Sequence, residues 1–191
     1  MESINLVTTG LKSTINKNLK NIFLGEWCIL YTNKDLQKID KDEVLDYHWD
    51  DREKFTKDFY YIKTLKEKIS KSLYKKLNEY HKKKNSDRYW EIIIDPWLTS
   101  FLQVYIERYE NILNLFRNKK IHETIILKID ENLMLPRSYE EYSKLITTDT
   151  WNHFIFSEII EHFNKSHKFT INYLEFIDEE NVKSSLTYFM L

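Results

Sequence analysis

Between Phe55 and Tyr80 the apolar side chains recur at Phe55, Phe59, Ile62, Leu65, Ile69, Leu73, Leu77 and Tyr80, every gap being three or four residues. That spacing belongs to one face of an α-helix. A helix is therefore predicted over Asp51–Lys83, about nine turns long, and the rest of the fold has to cover its apolar face. It opens in Tyr47–Lys54, YHWDDREK, whose first six residues, Tyr47–Arg52, set two aromatics, an imidazole, two carboxylates and a guanidinium together. Asp50 or Asp51 can accept bonds from the free N–H groups of the first turn, where the helix dipole favours negative charge. Helix N-termini also commonly hold anions and ligands, so the cluster is a candidate site as well as a cap.

Four further stretches read as strands. Ile4–Thr9 ends in Thr8, Thr9 and Gly10, and Asn21–Cys28 (NIFLGEWC) breaks at Gly25. Arg88–Asp95 (RYWEIIID) has β-branched residues at its centre, and Glu123–Ile129 (ETIILKI) is the fourth. Continuous apolar strands suit a buried parallel sheet, with Phe169–Phe176 as a further candidate. Pro96 would close the third strand and start a helix over Trp97–Arg117. Both long helices are expected to pack on the sheet. Asn33–Asp46 reads as a polar connection or short surface helix. Ser138 and Glu141 form a capping box ahead of a helix over Tyr139–Ile146. Thr148–Thr150 caps another, Trp151–Phe163, and Asp178–Lys183 reads as a helical start. The fold class is α/β, a small, mainly parallel sheet flanked by helices. In such sheets ligands bind just past the carboxyl ends of the strands, which puts Thr8, Thr9, Gly25, Glu26 and Trp27 on one rim.

Several classes of function find no support. The net charge of −1 over 191 residues makes no case for nucleic acid. The lysines at Lys75, Lys76, Lys82, Lys83 and Lys84 read as a solvated face near a helix C-terminus. The single cysteine excludes an internal disulfide and suits a reducing compartment. No signal peptide and no run of about 20 apolar residues is present, so the expectation is a cytoplasmic protein with at most peripheral membrane association. The histidines are scattered without metal-ligand spacing. Gly10 and Gly25 are the only glycines, so there is no Gly-rich phosphate loop.

The blocks LVTTG (6–10), FLGEWC (23–28), YHWDDREK (47–54), RYW with PWL (88–98) and WNHFIFSEI (151–159) occur in that order. Together they resemble the N-terminal part of a family of bacterial transferases linked to surface-polysaccharide and lipopolysaccharide biosynthesis. Members of that family are longer, and their C-terminal part looks like the nucleotide-binding half of two-domain glycosyltransferases. The resemblance implies two Rossmann-like halves facing across a cleft, a glycosyltransferase-B-like architecture. Residues 1–191 would form the single acceptor-side domain, truncated before the donor-binding half. A nucleotide-sugar donor is then expected of the full-length family, with no cofactor in this chain. The implied partners are a glycan or lipid-linked acceptor and a donor-binding half supplied separately.

Sugar transfer needs a base for the acceptor hydroxyl and positive charge against the leaving phosphate. Glu26, His48, Asp50 and Asp51 are the base candidates and Arg52 the cation. Trp27, Trp49 and Trp97 are candidates for stacking on sugar rings. Thr8, Thr9 and Gly25 complete the expected site. Glu26, His48 and Arg52 are expected to converge on one concave surface. The rival expectation is a non-catalytic glycan- or partner-binding fragment of a split or truncated gene.

Overall fold

A computed structural model describes residues 3–29 and 43–177. Its centre is a four-stranded, all-parallel sheet in the order β2-β1-β3-β4, flanked by helices in a Rossmann-like arrangement. β1 is Ile4–Val7, β2 Lys20–Phe23, β3 Glu123–Lys128 and β4 Thr170–Glu175. β1 and β3 lie in the middle of the sheet. Asn5, Leu6 and Val7 are buried, as are Thr124, Ile126 and Leu127, so these strands read as near-continuous apolar runs. The helices are α1 (Arg52–His81), α2 (Asp87–Asn118), α3 (Glu131–Met134), α4 (Tyr139–Leu145) and α5 (Asp149–His167).

The main core forms where α2 and α5 meet the sheet. Ile112 and Leu115 from α2, Phe156, Ile159 and Ile160 from α5, and Leu6 and Ile22 from the strands are almost fully enclosed. α5 is anchored by His153, which is buried. Its Nε2 accepts the Leu127 N–H at 3.0 Å, and Nδ1 lies 3.3 Å from Thr8 Oγ1. Nδ1 therefore carries the proton, and one imidazole ties α5 to β3 and to the end of β1. Burial lowers its pKa to about 4, so it is neutral at pH 7.

The helical face seen in the sequence forms, but it does not pack on the sheet. α1 runs for 30 residues, about 45 Å, and its buried Ile62 packs with Leu98 and Leu102 of α2 in a second, smaller core. Towards its two ends the face is only partly covered: Phe59 is 50% exposed and Tyr80 82%. Asp51 caps the helix, accepting from the N–H groups of Glu53 and Lys54 at 2.9 and 3.1 Å.

The strand expected at Arg88–Asp95 is helix. Ser86 caps it, and α2 runs unbroken through Pro96, which neither closes a strand nor starts the helix. Tertiary partners override the β propensity of the three isoleucines. Ile92 and Ile93 are exposed, while Trp90, Asp95 and Leu98 are buried. The Asp95 carboxylate accepts from Tyr74 Oη and pairs with Lys66 Nζ at 2.7 Å, both from α1. Trp90 Nε1 donates to Asn78 at 3.0 Å. These bonds form only if residues 88–95 are coiled against α1.

The other elements fall where the patterns put them. Glu141 N–H donates to the Ser138 hydroxyl at 3.1 Å and Trp151 N–H to the Thr148 hydroxyl at 3.3 Å. Most of Asn33–Asp46 and all of Asp178–Lys183 lie outside the described residues.

Candidate functional site

β1 and β2 end side by side, with Val7 opposite Phe23. Both glycines of the chain stand just beyond these ends, each where another side chain comes too close for a Cβ. After β2 the chain turns through Gly25 into a short 3-10 turn, Glu26–Cys28. The Trp27 ring folds back over Gly25, where an added Cβ would lie 2.1 Å from it. That fold lets Trp27 Nε1 donate to the Thr8 carbonyl at 2.9 Å. After β1, the Gly10 N–H donates to Asp149 Oδ1 at 3.2 Å, and a Cβ there would lie 2.7 Å from Asp149 Oδ2. Asp149 is the first residue of α5.

A cleft of about 990 Å³ opens at this rim. Its lining includes Glu26 and Trp27 after β2, Tyr47 and Asp50 before α1, and Asp149, Asn152 and Phe156 of α5. Glu107 and Arg108 of α2 complete the wall. Glu107 is only 4% exposed, and its carboxylate accepts from both Arg108 and Asn111. The Arg108 guanidinium also donates from Nε and Nη2 to Asn152 Oδ1, at 3.0 and 2.9 Å, and stands 5.9 Å from the Phe156 ring centre. Asn152 Nδ2 in turn donates to the Ile146 and Thr148 carbonyls. This chain of bonds fixes α2, α5 and the turn before α5 against each other. Burial first, then the charge of Glu107, pushes the Tyr47 phenol well above its ordinary value, so it stays protonated and able to donate.

Of the residues expected at the site, Glu26, Trp27 and Asp50 line this cleft. Thr8 and Thr9 are buried at the end of β1, and Gly25 is buried beneath Trp27. His48 is buried, and among the described residues neither ring nitrogen has a hydrogen-bond partner within bonding geometry. Asp58 Oδ2 is 4.0 Å from its Nδ1. Desolvation pushes the His48 pKa below the ordinary value, outweighing the upward pull of the Glu107 and Asp58 charges. Asp51 is occupied in capping, and Arg52 is exposed at the first position of α1 without lining the cleft. Trp49 donates to Asp58 at 2.9 Å and packs with the α1–α2 core, and Trp97 stacks on Phe101 at 5.1 Å. Glu26, His48 and Arg52 thus do not share the cleft.

Glu107, Arg108, Asp149 and Asn152 are the residues that sequence reasoning passed over. A signal for one of them, Glu107, existed. Glu107, Asn111 and Leu115 form one i, i+4 row on α2 and all three are buried. Two polar residues in a buried row mark a hydrogen-bonded network, since buried polar groups need partners.

Among the described residues no group of three His, Cys, Asp or Glu side chains stands close enough to hold a metal ion. No helix among them is long and apolar enough to cross a membrane. What the cleft offers is carboxylates that can take a proton or accept hydrogen bonds, beside an aromatic wall. The family model described as LIC12162 family transferase matches residues 4–187. No curated protein and no solved structure matches the chain.

Proposed function

The chain belongs to the LIC12162 family of transferases, and from that premise we propose that it is the acceptor-side half of a glycosyltransferase-like enzyme of bacterial surface-polysaccharide assembly. The observation that carries this reading is the cleft at the carboxyl rim of a parallel sheet, where open α/β sheets bind ligands, with an aromatic wall beside exposed carboxylates. In this reading a sugar of a glycan or lipid-linked acceptor stacks on Trp27, and Asp50 accepts bonds from its hydroxyls. Glu26 takes the proton of the attacking hydroxyl as its oxygen bonds to the anomeric carbon of the donor sugar. The bond from that carbon to the nucleotide phosphate breaks, and the phosphate leaves with the electron pair. Glu107, Arg108 and Asn152 are positioning residues that hold the wall in place. The donor nucleotide is held by a second half, and the reaction takes place in the cytoplasm at the membrane face.

The test is transfer of label from nucleotide sugars into the glycans of the host's own membranes, by the chain together with its donor-binding half. Glu26→Gln keeps the shape and removes the base, and the expected loss is about a hundredfold, the usual worth of a general base. An unchanged rate removes Glu26 from the reaction. The same chain binding a membrane glycan, with no transfer under any donor, would establish the non-catalytic glycan-binding reading instead.

A further inference from the structure

Charge decides what this cleft can hold. Glu26, Asp46, Asp50, Glu107 and Asp149 bring five carboxylates to its lining, and among the described residues Arg108 is the single Lys or Arg there. That guanidinium is already engaged, by Glu107 through Nη1 and by Asn152 through Nε and Nη2. Two of the carboxylates are engaged as well, Glu107 by Arg108 and Asn111, and Asp149 by the Gly10 N–H. The other three are exposed and make no side-chain hydrogen bond or ion pair with any described residue. The five do not gather around a metal position. Ionised carboxylates only accept hydrogen bonds, so the open polar groups of the cleft call for a ligand rich in donors. A concave surface lined by one sign of charge also concentrates ligands of the opposite sign and repels its own. Trp27 and Tyr47, whose ring centres are 6.2 Å apart in an edge-to-face pair, add aromatic surface that attracts ammonium groups.

We infer that the cleft selects a glycan bearing free amino groups, and that it rejects acidic sugars and nucleotide phosphates. The inference rests on the acceptor reading of the cleft and sharpens it into a substrate class. It also assigns the donor phosphates to a different surface, because among the described residues no cation of the cleft is open to them.

Three probes of equal length separate the possibilities: a glucosamine tetramer, its fully N-acetylated counterpart and a galacturonic acid tetramer. Each is titrated into the chain at low and high salt, with the indole N–H signal of Trp27 as the readout, identified from its loss in Trp27→Phe. The amine-bearing tetramer is expected to bind about tenfold more tightly than the neutral one, a difference of about 1.4 kcal/mol. That advantage should shrink in high salt, which screens exposed charges, and fall by at least half in the Glu26→Gln, Asp50→Asn double variant, which leaves Asp46 as the one open carboxylate among the described lining residues. Both side chains are exposed, so the variant keeps its fold, which circular dichroism verifies. Equal binding of the amine and neutral tetramers, or stronger binding of the acidic one, overturns the inference and leaves the acceptor reading standing. An advantage undiminished in the double variant overturns it too. If no tetramer perturbs Trp27, the acceptor reading falls and the inference with it.

Discussion

At the carboxyl ends of the strands the protein sets Glu26, Asp50, Glu107 and Asp149 around one cleft, whereas at the amino ends of β3 and β4 it sets Arg117, Lys119, Lys120 and Lys168 around another, of about 620 Å³. The two rims look like mirror images in charge, yet their causes differ. Every cation at the amino rim stands at or just past the end of α2 or α5. There the last carbonyls are free and positive charge is favoured by a few tenths of a kcal/mol to about 1 kcal/mol per residue. Local helix chemistry explains that rim fully. At the carboxyl rim it accounts for Asp149, in the first turn of α5, and for Asp50, beside the N-cap of α1, and no more. Glu107 lies in the middle of α2, and Glu26 follows a strand. Glu107 is met by Arg108 and Asn111, so the charge that neither a helix end nor an ion pair requires, at Glu26 and Asp46, is the charge that asks for a ligand.

The largest effect should come from Glu107. Glu107→Ala leaves the Arg108 guanidinium without its carboxylate in a partly enclosed wall, and breaking such a pair costs about 3 kcal/mol or more. Urea denaturation measures it, with Lys119→Ala as the amino-rim control at less than about 0.5 kcal/mol. A loss below about 1 kcal/mol for Glu107→Ala would erase the contrast between the rims.

Acid should act on the carboxyl rim through His153. Its pKa is lowered from the ordinary 6.5 to about 4 in the folded chain, so below pH 6.5 the unfolded chain takes up a proton that the folded one does not. Stability therefore falls as pH drops from 6.5 to 4, by about 3 kcal/mol for this group, and the contribution is flat above 6.5. Stability curves for the wild type and His153→Gln should converge across that window. Parallel curves would mean that another group sets the acid response.

The smallest effect belongs to the amino rim. Lys168 ends α5 in the left-handed region, at φ 50° and ψ 64°, where a side chain is strained and glycine is not. Lys168→Gly should raise stability by about 0.5–1 kcal/mol, read as a rise of about 2 °C in Tm. A fall would show that the lysine charge outweighs its backbone strain, and would make this rim more than a set of helix ends.

Much of this was legible in the chain itself. The caps at Asp51, Ser138 and Thr148 are local chemistry, fixed by one side chain and the N–H groups two or three residues on, so a sequence shows them. β1, β2 and β3 are short apolar runs between turn residues and are equally local. Residues 88–95 were not legible as helix, because their conformation is decided by Tyr74, Lys66 and Asn78, some 12 to 29 positions away. The site divides along the same line. Glu26 and Trp27 follow a strand end and were found from that alone. Glu107 and Arg108 face the cleft only because α2 crosses the rim, a fact of packing. His48 and Arg52 stand next to real rim residues, but the 3-10 turn at His48–Asp50 turns the imidazole inward, and the first turn of α1 leaves Arg52 outside.

Pro96 gives α2 two levels of cooperativity. It has no N–H, so the Ile92 carbonyl one turn earlier lacks its helical donor, and Ile92 is 62% exposed, within reach of water. On the far side of that break, residues 87–95 are held to α1 through Trp90 and Asp95 alone among their buried side chains. On the near side Ile112 and Leu115 are locked in the main core. The tip before Pro96 is therefore expected to open as a separate local-unfolding unit, which faster amide exchange at residues 88–95 than at 107–115 would show. Glu107, three turns further on, stays in place while the tip opens and closes, so the wall of the cleft is insulated from the loosest part of the helix that builds it.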